Sequence, residues 1–491
     1  MNLHHPLLKR ILVAIGGALG LLFLAALVLP LFVNANRYKS QVETAATDAL
    51  GMRVRIDGRL SVGLVPDVHL AGTEVRILDD AGTVVGSVAR ARFSVRVLPL
   101  LGRQLRMRRI ELTHPALSIE QSPEGRWNVA GLKKAVALFG ALDGGGVTIS
   151  DGTVRYANKK AGTTYAASGL DLVVRGIRVA GGASPRRAAR LSLQGRLACR
   201  EVRADDLTLT SLEVVVNAKR GVFVLKPITM RAFGGEMEGS LRADESAPIP
   251  AYELSSSLPR FRIDEFLKTL WPSETLKGPM EFKANLSLKG TTSSALLESA
   301  AGHLSLRGES LTIMGTDLDQ SISRFESSRT FNLVDVGAVL LTGPLGLAVK
   351  RGYNFAGLFR GTGGESQIGR LVSEWDVEHG VVRAKDVAMT TEKNRIALQG
   401  GLDIPAGRFA DMAMAVVNEK GCATIRQAIR GPIENPEIEK PHVLNSLAGP
   451  VTGLLKKAKG LLPLGPCEAF YSGSVAPPNA NSTESSGTSE P

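Results

Sequence analysis

Hydrophobic and polar residues alternate along most of the chain after residue 36. Val54, Ile56 and Leu60 fall on one side of an extended chain, whereas Arg53 and Arg55 fall on the other. A period of two is typical of a strand with one buried face. Because the pattern recurs as far as residue 416, it predicts a mainly β protein built from antiparallel sheet.

Roughly twenty strands are too many for one flat open sheet. At about 4.8 Å between strands the sheet would extend to about 90 to 100 Å, so we expect an elongated, curled antiparallel groove. The alternative is two conventional sandwiches whose apolar faces pack on each other. In a groove the apolar face is aliphatic, and its candidate lining residues are Val54, Ile56, Leu60, Val62, Phe93, Val95, Val97, Leu170, Leu172, Val174, Leu191, Leu193, Val214, Val216, Leu286, Leu288, Leu304, Leu306, Ile396 and Leu398.

Predicted turns and helices separate the strands. Glycine-containing segments join apolar runs and predict hairpin loops at 79–82, 122–125, 158–162 and 405–407. Helices are predicted at about 36–50, 127–139 and 263–270, within 316–360, and at about 443–460. Since strands and helices do not alternate regularly, a doubly wound parallel sheet is disfavoured.

The N-terminal region predicts a membrane anchor. The run from Ile11 to Val33 carries no charge, and at about 1.5 Å per residue it is long enough to cross a ~30 Å hydrocarbon layer. Lys9 and Arg10 precede it, which favours a cytoplasmic N-terminus and an exported body. The alternative is a signal peptide cleaved after Ala35, although such peptides have shorter apolar runs.

Composition shifts suggest an order of segments. Asp143 to Gly146 is predicted to be a linker, and Pro248 to Pro250 a weaker break. A helix at 443–460 either touches an anionic membrane surface or caps the distal end of the groove. The predicted segments are a cytoplasmic N-terminus 1–10, an anchor 11–33, an N-terminal β segment 36–143, a central β segment 147–315, a C-terminal β segment 316–442 with a helical insert 316–360, an amphipathic helix and cap 443–473, and a disordered tail 474–491.

Charge and cysteine content limit the partners. The chain has 59 Lys and Arg against 47 Asp and Glu, a net charge of +12. Arginines are scattered along strands rather than gathered with aromatic residues, so we expect no nucleic-acid partner. The charge fits either an anionic membrane surface or a solvated surface without a partner. Cys422 and Cys467 are candidates for a disulfide, which leaves Cys199; the alternative is three small buried hydrophobic residues.

The motifs of common enzymes are missing from the sequence. None of the seven histidines has the i, i+4 spacing with Glu of a zinc hydrolase, and there is no Cys-x-x-Cys, phosphate-binding glycine loop or Gly-x-Ser-x-Gly. The carboxylate pairs at 79–80 and 205–206 fall in predicted turns. We therefore expect no catalytic residue, no metal, no cofactor and no enzymatic activity.

The residues after the anchor resemble a known family. Residues 38–50, then Gly51-Met52-Arg53-Val54-Arg55-Ile56-Asp57-Gly58-Arg59-Leu60, then Leu64 to Val68, resemble the opening of the AsmA family. Four later stretches resemble further parts of the family: 115–128, 147–156, 380–403 and 429–432. The chain departs from the family where Arg126, rather than Asn, precedes Trp127, and 160–280 matches by pattern alone.

The resemblance implies an inner-membrane protein that projects into a Gram-negative periplasm. It favours an open, taco-shaped β groove, related to those of TamB-like and eukaryotic bridge proteins that conduct phospholipids. The implied partners are phospholipid, the inner membrane and an outer-membrane or periplasmic protein, and the implied role is outer-membrane lipid homeostasis. Two alternatives remain: a periplasmic scaffold or assembly factor for outer-membrane proteins, and a hydrolase of envelope polymers.

Overall fold

The structure, a computed structural model, is mainly β. It describes residues 35–63, 68–95, 107–129, 142, 144–179, 191–205, 207–269, 276–328, 340, 363–443 and 467–478. The predicted anchor, residues 479–491 of the tail, and most of the predicted helices at 127–139 and 443–460 lie outside these ranges. No helix within them is long and apolar enough to cross a membrane.

The chain divides into two compact units, Met1–Ile228 and Thr229–Pro491, which we call unit 1 and unit 2. Strand β10 (Val222–Ala232) contains the boundary. The other described elements of unit 1 are a 3-10 helix Ala35–Tyr38, α1 (Lys39–Leu50), β1 (Arg53–Ile56), β2 (Leu60–Gly63), β3 (Val68–Leu78), β4 (Val84–Val95), β5 (Met107–Gln121), β6 (Gly145–Asn158), β7 (Thr163–Val179), β8 (Leu191–Ala204) and β9 (Leu207–Lys219).

Among the described residues, unit 2 holds more helix than unit 1. Its described elements are β11 (Gly235–Asp244), β12 (Ala251–Arg262), α2 (Ile263–Lys268), β13 (Leu276–Lys277), β14 (Pro279–Lys289), α3 (Ser293–Glu298), β15 (Ala301–Met314), α4 (Leu318–Ser328), β16 (Glu365–Glu378), β17 (Val381–Thr390), β18 (Arg395–Asp403), β19 (Arg408–Val417), β20 (Ala423–Arg430), β21 (Glu437–Ile438) and β22 (His442–Val443). Helices α1 and α2 form where the sequence predicts them. Helix α3 was not predicted, and Thr292 caps it by accepting a hydrogen bond from the Ala295 N–H.

Three of the four predicted hairpin loops join neighbouring antiparallel strands. They connect β3 to β4, β6 to β7, and β18 to β19. The fourth, at 122–125, is a turn closed by an isolated bridge between Gln121 and Trp127. The antiparallel meander expected from the sequence is therefore present, with the exception described next.

The predicted linker at 143–146 is instead the start of a strand. Gly145 and Gly146 open β6, which pairs in parallel with β5. A Cβ at Gly145 would lie 2.6 Å from the Arg108 carbonyl oxygen, and one at Gly146 would lie 2.4 Å from the Val174 carbonyl oxygen. These glycines permit a close approach of backbones rather than flexibility.

A line of positions where the alternation of side chains changes crosses the strands of unit 1. The registers of β3 to β6 place Glu74, Ala89, His114 and Asp151 side by side, and those of β7 to β9 place Gly169, Arg200 and Ser211 side by side. The two sets meet at an irregularity in the register between β6 and β7, and we call all seven residues the kink line. Glu74, His114, Asp151 and Ser211 have φ values of 48 to 54°, which non-glycine residues rarely adopt.

The kink line shifts the alternation of side chains by one residue. On β3, one cavity is lined by Leu70 and Gly72 before Glu74, and by Val75 and Ile77 after it. Strict alternation would have sent the second pair to the opposite side of the sheet. Because neighbouring strands shift together, the apolar side of unit 1 stays on one side over the full strand length.

Helix α1 covers the free edge of the unit 1 sheet. Side-chain oxygens of Asn36, Glu43 and Thr47 accept hydrogen bonds from the backbone N–H groups of Leu60, Ile56 and Val54, at 2.9, 2.7 and 3.0 Å. The ammonium of Lys39 donates to the Asp57 and Gly58 carbonyls. One helix face therefore supplies the partners that a neighbouring strand would otherwise provide.

Two glycines of the family-like motif have clear structural reasons. Gly51 ends α1 in the left-handed conformation, with φ of 71°, and its N–H bonds to the Thr47 carbonyl. Gly58 separates β1 from β2, and a Cβ there would lie 2.7 Å from the Thr73 carbonyl oxygen. Together they let the chain turn back and lay its edge strands beside the helix.

Unit 2 has a closed core. Trp375 is fully buried at its centre, and its indole N–H donates to Ser373, whose hydroxyl donates to the Leu340 carbonyl. Helix α2 adds Ile263, and α4 adds Ile322. Apolar side chains from β12 to β20 fill the remaining space, so this unit buries its apolar face inside itself.

The C-terminal segment 467–478 covers the other face of the unit 2 sheet. Phe470, Tyr471 and Val475 pack on small side chains of β16 to β19, including Ala397 and Ala413. This segment is joined to the sheet by a disulfide between Cys422 and Cys467, whereas Cys199 is a buried free thiol.

Polar contacts hold the same segment. The Tyr471 hydroxyl donates to Asp386, whose other oxygen accepts the Ser474 N–H at 3.0 Å. Burial opposes ionisation of Asp386, but hydrogen bonds from Ser474 and Tyr471 outweigh it and hold its pKa below the usual value. Burial and this hydrogen bond raise the pKa of Tyr471. Arg395 also donates to the Val475 carbonyl at 3.0 Å.

The edge contacts of α1 predict a local loss of stability. Glu43→Ala would leave the buried Ile56 N–H without its acceptor, at a cost of about 1 to 3 kcal/mol. We expect at least about fivefold faster hydrogen exchange at Ile56, measured by mass spectrometry. Glu43→Gln keeps an acceptor oxygen and is the control; equal exchange in both variants would contradict the edge contact.

Candidate functional site

Two rows of apolar residues cross the sheet of unit 1. Directly opposite residues share a face of the sheet, so the strand registers define both rows. We call the two rows together the apolar face. The first row runs Val62, Leu70, Phe93, Ile110, Val147, Val174, Gly195, Val216, and the second runs Leu60, Gly72, Ala91, Leu112, Ile149, Leu172, Leu197, Val214.

The apolar face is continuous over eight strands, β2 to β9. At about 4.8 Å between strands it is roughly 34 Å long. Its aromatic member is Phe93, and the other side chains are aliphatic or absent. The face is therefore smooth and without hydrogen-bonding side chains along its whole length.

Helix α1 and the first part of the apolar face line a partly open cavity of about 290 Å³. Val42, Ala46 and Leu50 line it from the helix, at a spacing of four residues that places them on one helix side. The strands contribute Val54, Ile56, Leu60, Leu70, Gly72, Val75, Ile77, Val88, Ala91, Phe93, Ile110, Leu112, Val147 and Ile149. No charged residue is among the lining side chains.

Four predicted groove residues line this cavity: Val54, Ile56, Leu60 and Phe93. Val62 packs against the cluster formed by Ala35, Ile56 and Leu60, and Val95 is half-buried at the end of β4. Val97 lies outside the described residues. Sequence reasoning missed the helix side chains, although the spacing of Val42, Ala46 and Leu50 was available as a signal.

The apolar face continues past the cavity onto β7, β8 and β9, where it is only half-buried. The predicted residues there share this partial exposure: Leu170, Leu172, Val174, Leu191, Leu193, Val214 and Val216. Near one end of the strands Leu142 is fully buried against Val147 and Ile177, and the side chains of Val174 and Leu191 pack on them. The rest of this surface has no comparable cover among the described residues.

The predicted groove residues of unit 2 lie in its closed core. Leu304, Leu306, Ile396 and Leu398 are at most 3% exposed, and Leu286 and Leu288 pack against the same cluster. The sequence placed them in an open groove, and the structure corrects this. The physical reason is that Trp375 and helices α2 and α4 fill the space that a ligand would need.

A polar cavity lies next to the apolar one. Leu50 lines the apolar cavity, and the next residues, Gly51 and Met52, line a polar cavity of about 440 Å³ at the strand ends. Its other lining residues are Asp79, Asp80, Ala81, Glu120, Ser122, Arg126, Trp127, Asn128 and Lys159. Glu120 and Lys159 form an ion pair at 2.8 Å.

Aromatic side chains mark the same end of the strands. Trp127, Tyr156 and Tyr165 form a row with ring centroids 5.8 and 5.6 Å apart. Trp127 and Tyr165 are more than two-fifths exposed. Rings with an apolar body and a polar tip suit a boundary between apolar and wet surroundings. The aromatic row and the polar cavity, which Trp127 also lines, thus lie at the same end of the strands.

The described residues show no cluster that points to metal chemistry. Within these ranges no three His, Cys, Asp or Glu side chains come together as ligands would.

Sequence comparison identifies the family. The AsmA family matches the chain over residues 5–192 and 184–338, and the chain belongs to it. No curated protein matches the chain.

The contrast between the open face and the closed core predicts unequal effects of truncation. Leu398→Ala in unit 2 removes a buried side chain and should cost about 2 to 5 kcal/mol. Leu172→Ala on the apolar face should cost about 1 kcal/mol, since its side chain is half-exposed already. Hydrogen exchange of β18 measures the local stability in Leu398→Ala, and that of β7 measures it in Leu172→Ala. Equal losses of stability in the two variants would contradict an open apolar face.

Proposed function

We propose that this protein binds phospholipid along the apolar face of unit 1 and conducts it there, as part of outer-membrane lipid homeostasis. The observation that carries the proposal is an aliphatic face that crosses eight strands and is only half-buried on β7 to β9. Membership of the AsmA family is consistent with a role in lipid transport or in assembly.

Dimensions and chemistry support an acyl chain as the ligand. One leaflet holds about half of a ~30 Å hydrocarbon layer, so a chain lying along a face of roughly 34 Å has room to slide. Each buried CH₂ contributes about 0.8 kcal/mol without a specific contact. Because neighbouring positions on the face are alike, a bound chain meets no deep minimum that would trap it.

The polar cavity fits a lipid headgroup. Lys159 and Arg126 offer positive charge, Asp79 and Glu120 offer negative charge, and Asn128 lies among them. A headgroup held there would leave the acyl chains on the apolar face. Binding and sliding need no bond to break, so we propose a carrier rather than an enzyme.

Two features support a location outside the cytoplasm. The uncharged run from Ile11 to Val33 fits an inner-membrane anchor. The disulfide between Cys422 and Cys467 fits an oxidising compartment, because cytoplasmic thiols stay reduced. We propose a single-pass inner-membrane protein with its body in the periplasm.

A scaffold that recruits partners by strand addition has less support. Helix α1 occupies the edge formed by β1 and β2. Beyond β20 lie β21 and β22, which have two residues each and flank Lys440 and Pro441. Short edges with charge and proline resist pairing with another chain.

Filling the cavity tests lipid binding. Ala46→Phe places a ring into the apolar cavity and should lower the phospholipid that co-purifies with the full chain, measured by native mass spectrometry. Ala45→Phe is the matched control, because Ala45 is exposed on the other side of the same helix. We expect at least about a tenfold loss for Ala46→Phe, equivalent to about 1.4 kcal/mol.

Two results would refute the proposal. One is a wild-type protein that carries no phospholipid after gentle extraction. The other is a photo-reactive residue at Ile56 that captures no lipid in membranes, while retained hydrogen-exchange protection in β3 shows that the fold is intact.

A further inference from the structure

One end of the unit 1 strands is strongly basic. We call it the basic end; there β2, β4, β7 and β9 finish, and β3, β5, β6 and β8 begin. Its exposed cationic residues are Arg108, Arg109, Arg175, Arg178, Lys219 and Arg220. Among the described residues of this end the carboxylate is that of Glu111, which pairs with Arg109 at 3.3 Å.

The opposite end has a mixed charge. Its described turns hold Asp79, Asp80, Glu124 and Asp205 together with Lys159 and others. The two ends of the same set of strands therefore differ in charge. A general solubility role would not require such an asymmetry.

The chain enters unit 1 from the side of the basic end. Asn36 contacts Leu60, Glu43 contacts Ile56 and Thr47 contacts Val54, so α1 runs antiparallel to the edge strands. Since β1 and β2 run towards Gly63 at the basic end, the start of α1 points to that end. Residues before Ala35, which include the uncharged run, lie upstream of this point.

We propose that the basic end docks on the anionic surface of a lipid bilayer. Arg109 on β5 and Lys219 on β9 are four strands apart, so the patch is roughly 19 Å wide and can meet several headgroups at once. Basic residues close to an anionic membrane attract it, and the attraction fades within about 10 Å at 0.1 M salt. Docking would bring the apolar face to the bilayer that supplies its lipid, so this inference rests on the proposed function.

Strand β7 offers a matched pair of reporter positions. Val179 lies at the basic end and is 40% exposed, and Tyr165 lies near the opposite end and is 42% exposed. They are roughly 45 Å apart along the strand. Because Cys199 is buried and Cys422 and Cys467 are bonded, a dye would label Val179→Cys or Tyr165→Cys selectively without reductant.

The experiment uses the labelled full chain in vesicles that contain lipids with a spin-labelled headgroup, a contact quencher. The vesicles are of phosphatidylcholine alone or with phosphatidylglycerol. We expect quenching at residue 179 only with phosphatidylglycerol, loss of quenching at about 1 M salt, where the screening length is about 3 Å, and little quenching at residue 165.

Charge removal supplies the second test. Arg175→Gln with Arg178→Gln should lower the ratio of docked to undocked protein about fivefold per charge. Arg155→Gln with Lys160→Gln removes the same charge from exposed residues near the opposite end and should leave quenching at residue 179 unchanged.

Four results would contradict docking. The first is quenching at residue 179 that depends neither on lipid charge nor on the arginine changes, and the second is stronger quenching at residue 165 than at residue 179. The others are equal quenching at the two residues and no quenching at either residue. The last is also the result expected if a soluble acidic partner occupies the patch. The amount of co-purified phospholipid distinguishes a failure of docking from a failure of lipid binding. Ala46→Phe should lower the amount of bound phospholipid and leave quenching at residue 179 intact. The arginine changes should lower the quenching and leave the bound phospholipid unchanged.

Discussion

The kink line is the constraint on which the rest of unit 1 depends. Long twisted strands keep an apolar face only if the alternation of side chains stays in phase with the sheet. Here the phase changes once per strand, and on β3, β5, β6 and β9 the change falls at a non-glycine residue in the left-handed region, such as Glu74 or Asp151. Each costs of order 1 to 3 kcal/mol of backbone strain. Since the changes align across β3 to β9, apolar residues beyond the kink line, such as Val75 and Ile77 on β3, fall on the same side of the sheet as the two rows of the apolar face.

Polar contacts on the other side of the sheet accompany this line. His114 lies 3.3 Å from Asp151, Arg200 reaches the same carboxylate at 3.5 Å, and the Asp171 side chain accepts the Asp151 N–H at 3.0 Å. Charged side chains on the solvent-facing side of the sheet thus bond to the strained backbone and to one another at the kink. The opposite side of the sheet stays aliphatic. Helix α1 also protects the edge of the sheet. Without it, an aliphatic face beside an unpaired edge strand would favour strand pairing with a second copy of the chain.

The sequence predicts the class of fold better than the extent of its strands. Val147 and Ile149, or Leu170, Leu172 and Val174, were recognisable because they alternate on one side of the kink line. The second halves of the same strands follow after a shift of one residue, which a period of two cannot reveal. On β3 and β9 nothing local marks the shift, because Glu74 and Ser211 are not residues that favour a left-handed conformation, whereas His114, Asp151 and Gly169 are of types that adopt it more readily. The anchor at 11–33 remains a prediction.

The same alternation produces an open face in unit 1 and a closed core in unit 2, and the difference lies in what covers it. Leu304 and Leu172 are indistinguishable by pattern, yet Leu304 belongs to a cluster whose other members, such as Trp375 and Leu318, fill the interior. Around Leu172 the described chain supplies no such volume, and Ala46 on α1 is too small to occupy the nearby cavity. The number and size of covering side chains therefore decide where an amphiphile fits. Site prediction for a chain of this kind has to begin with the residues outside the strands.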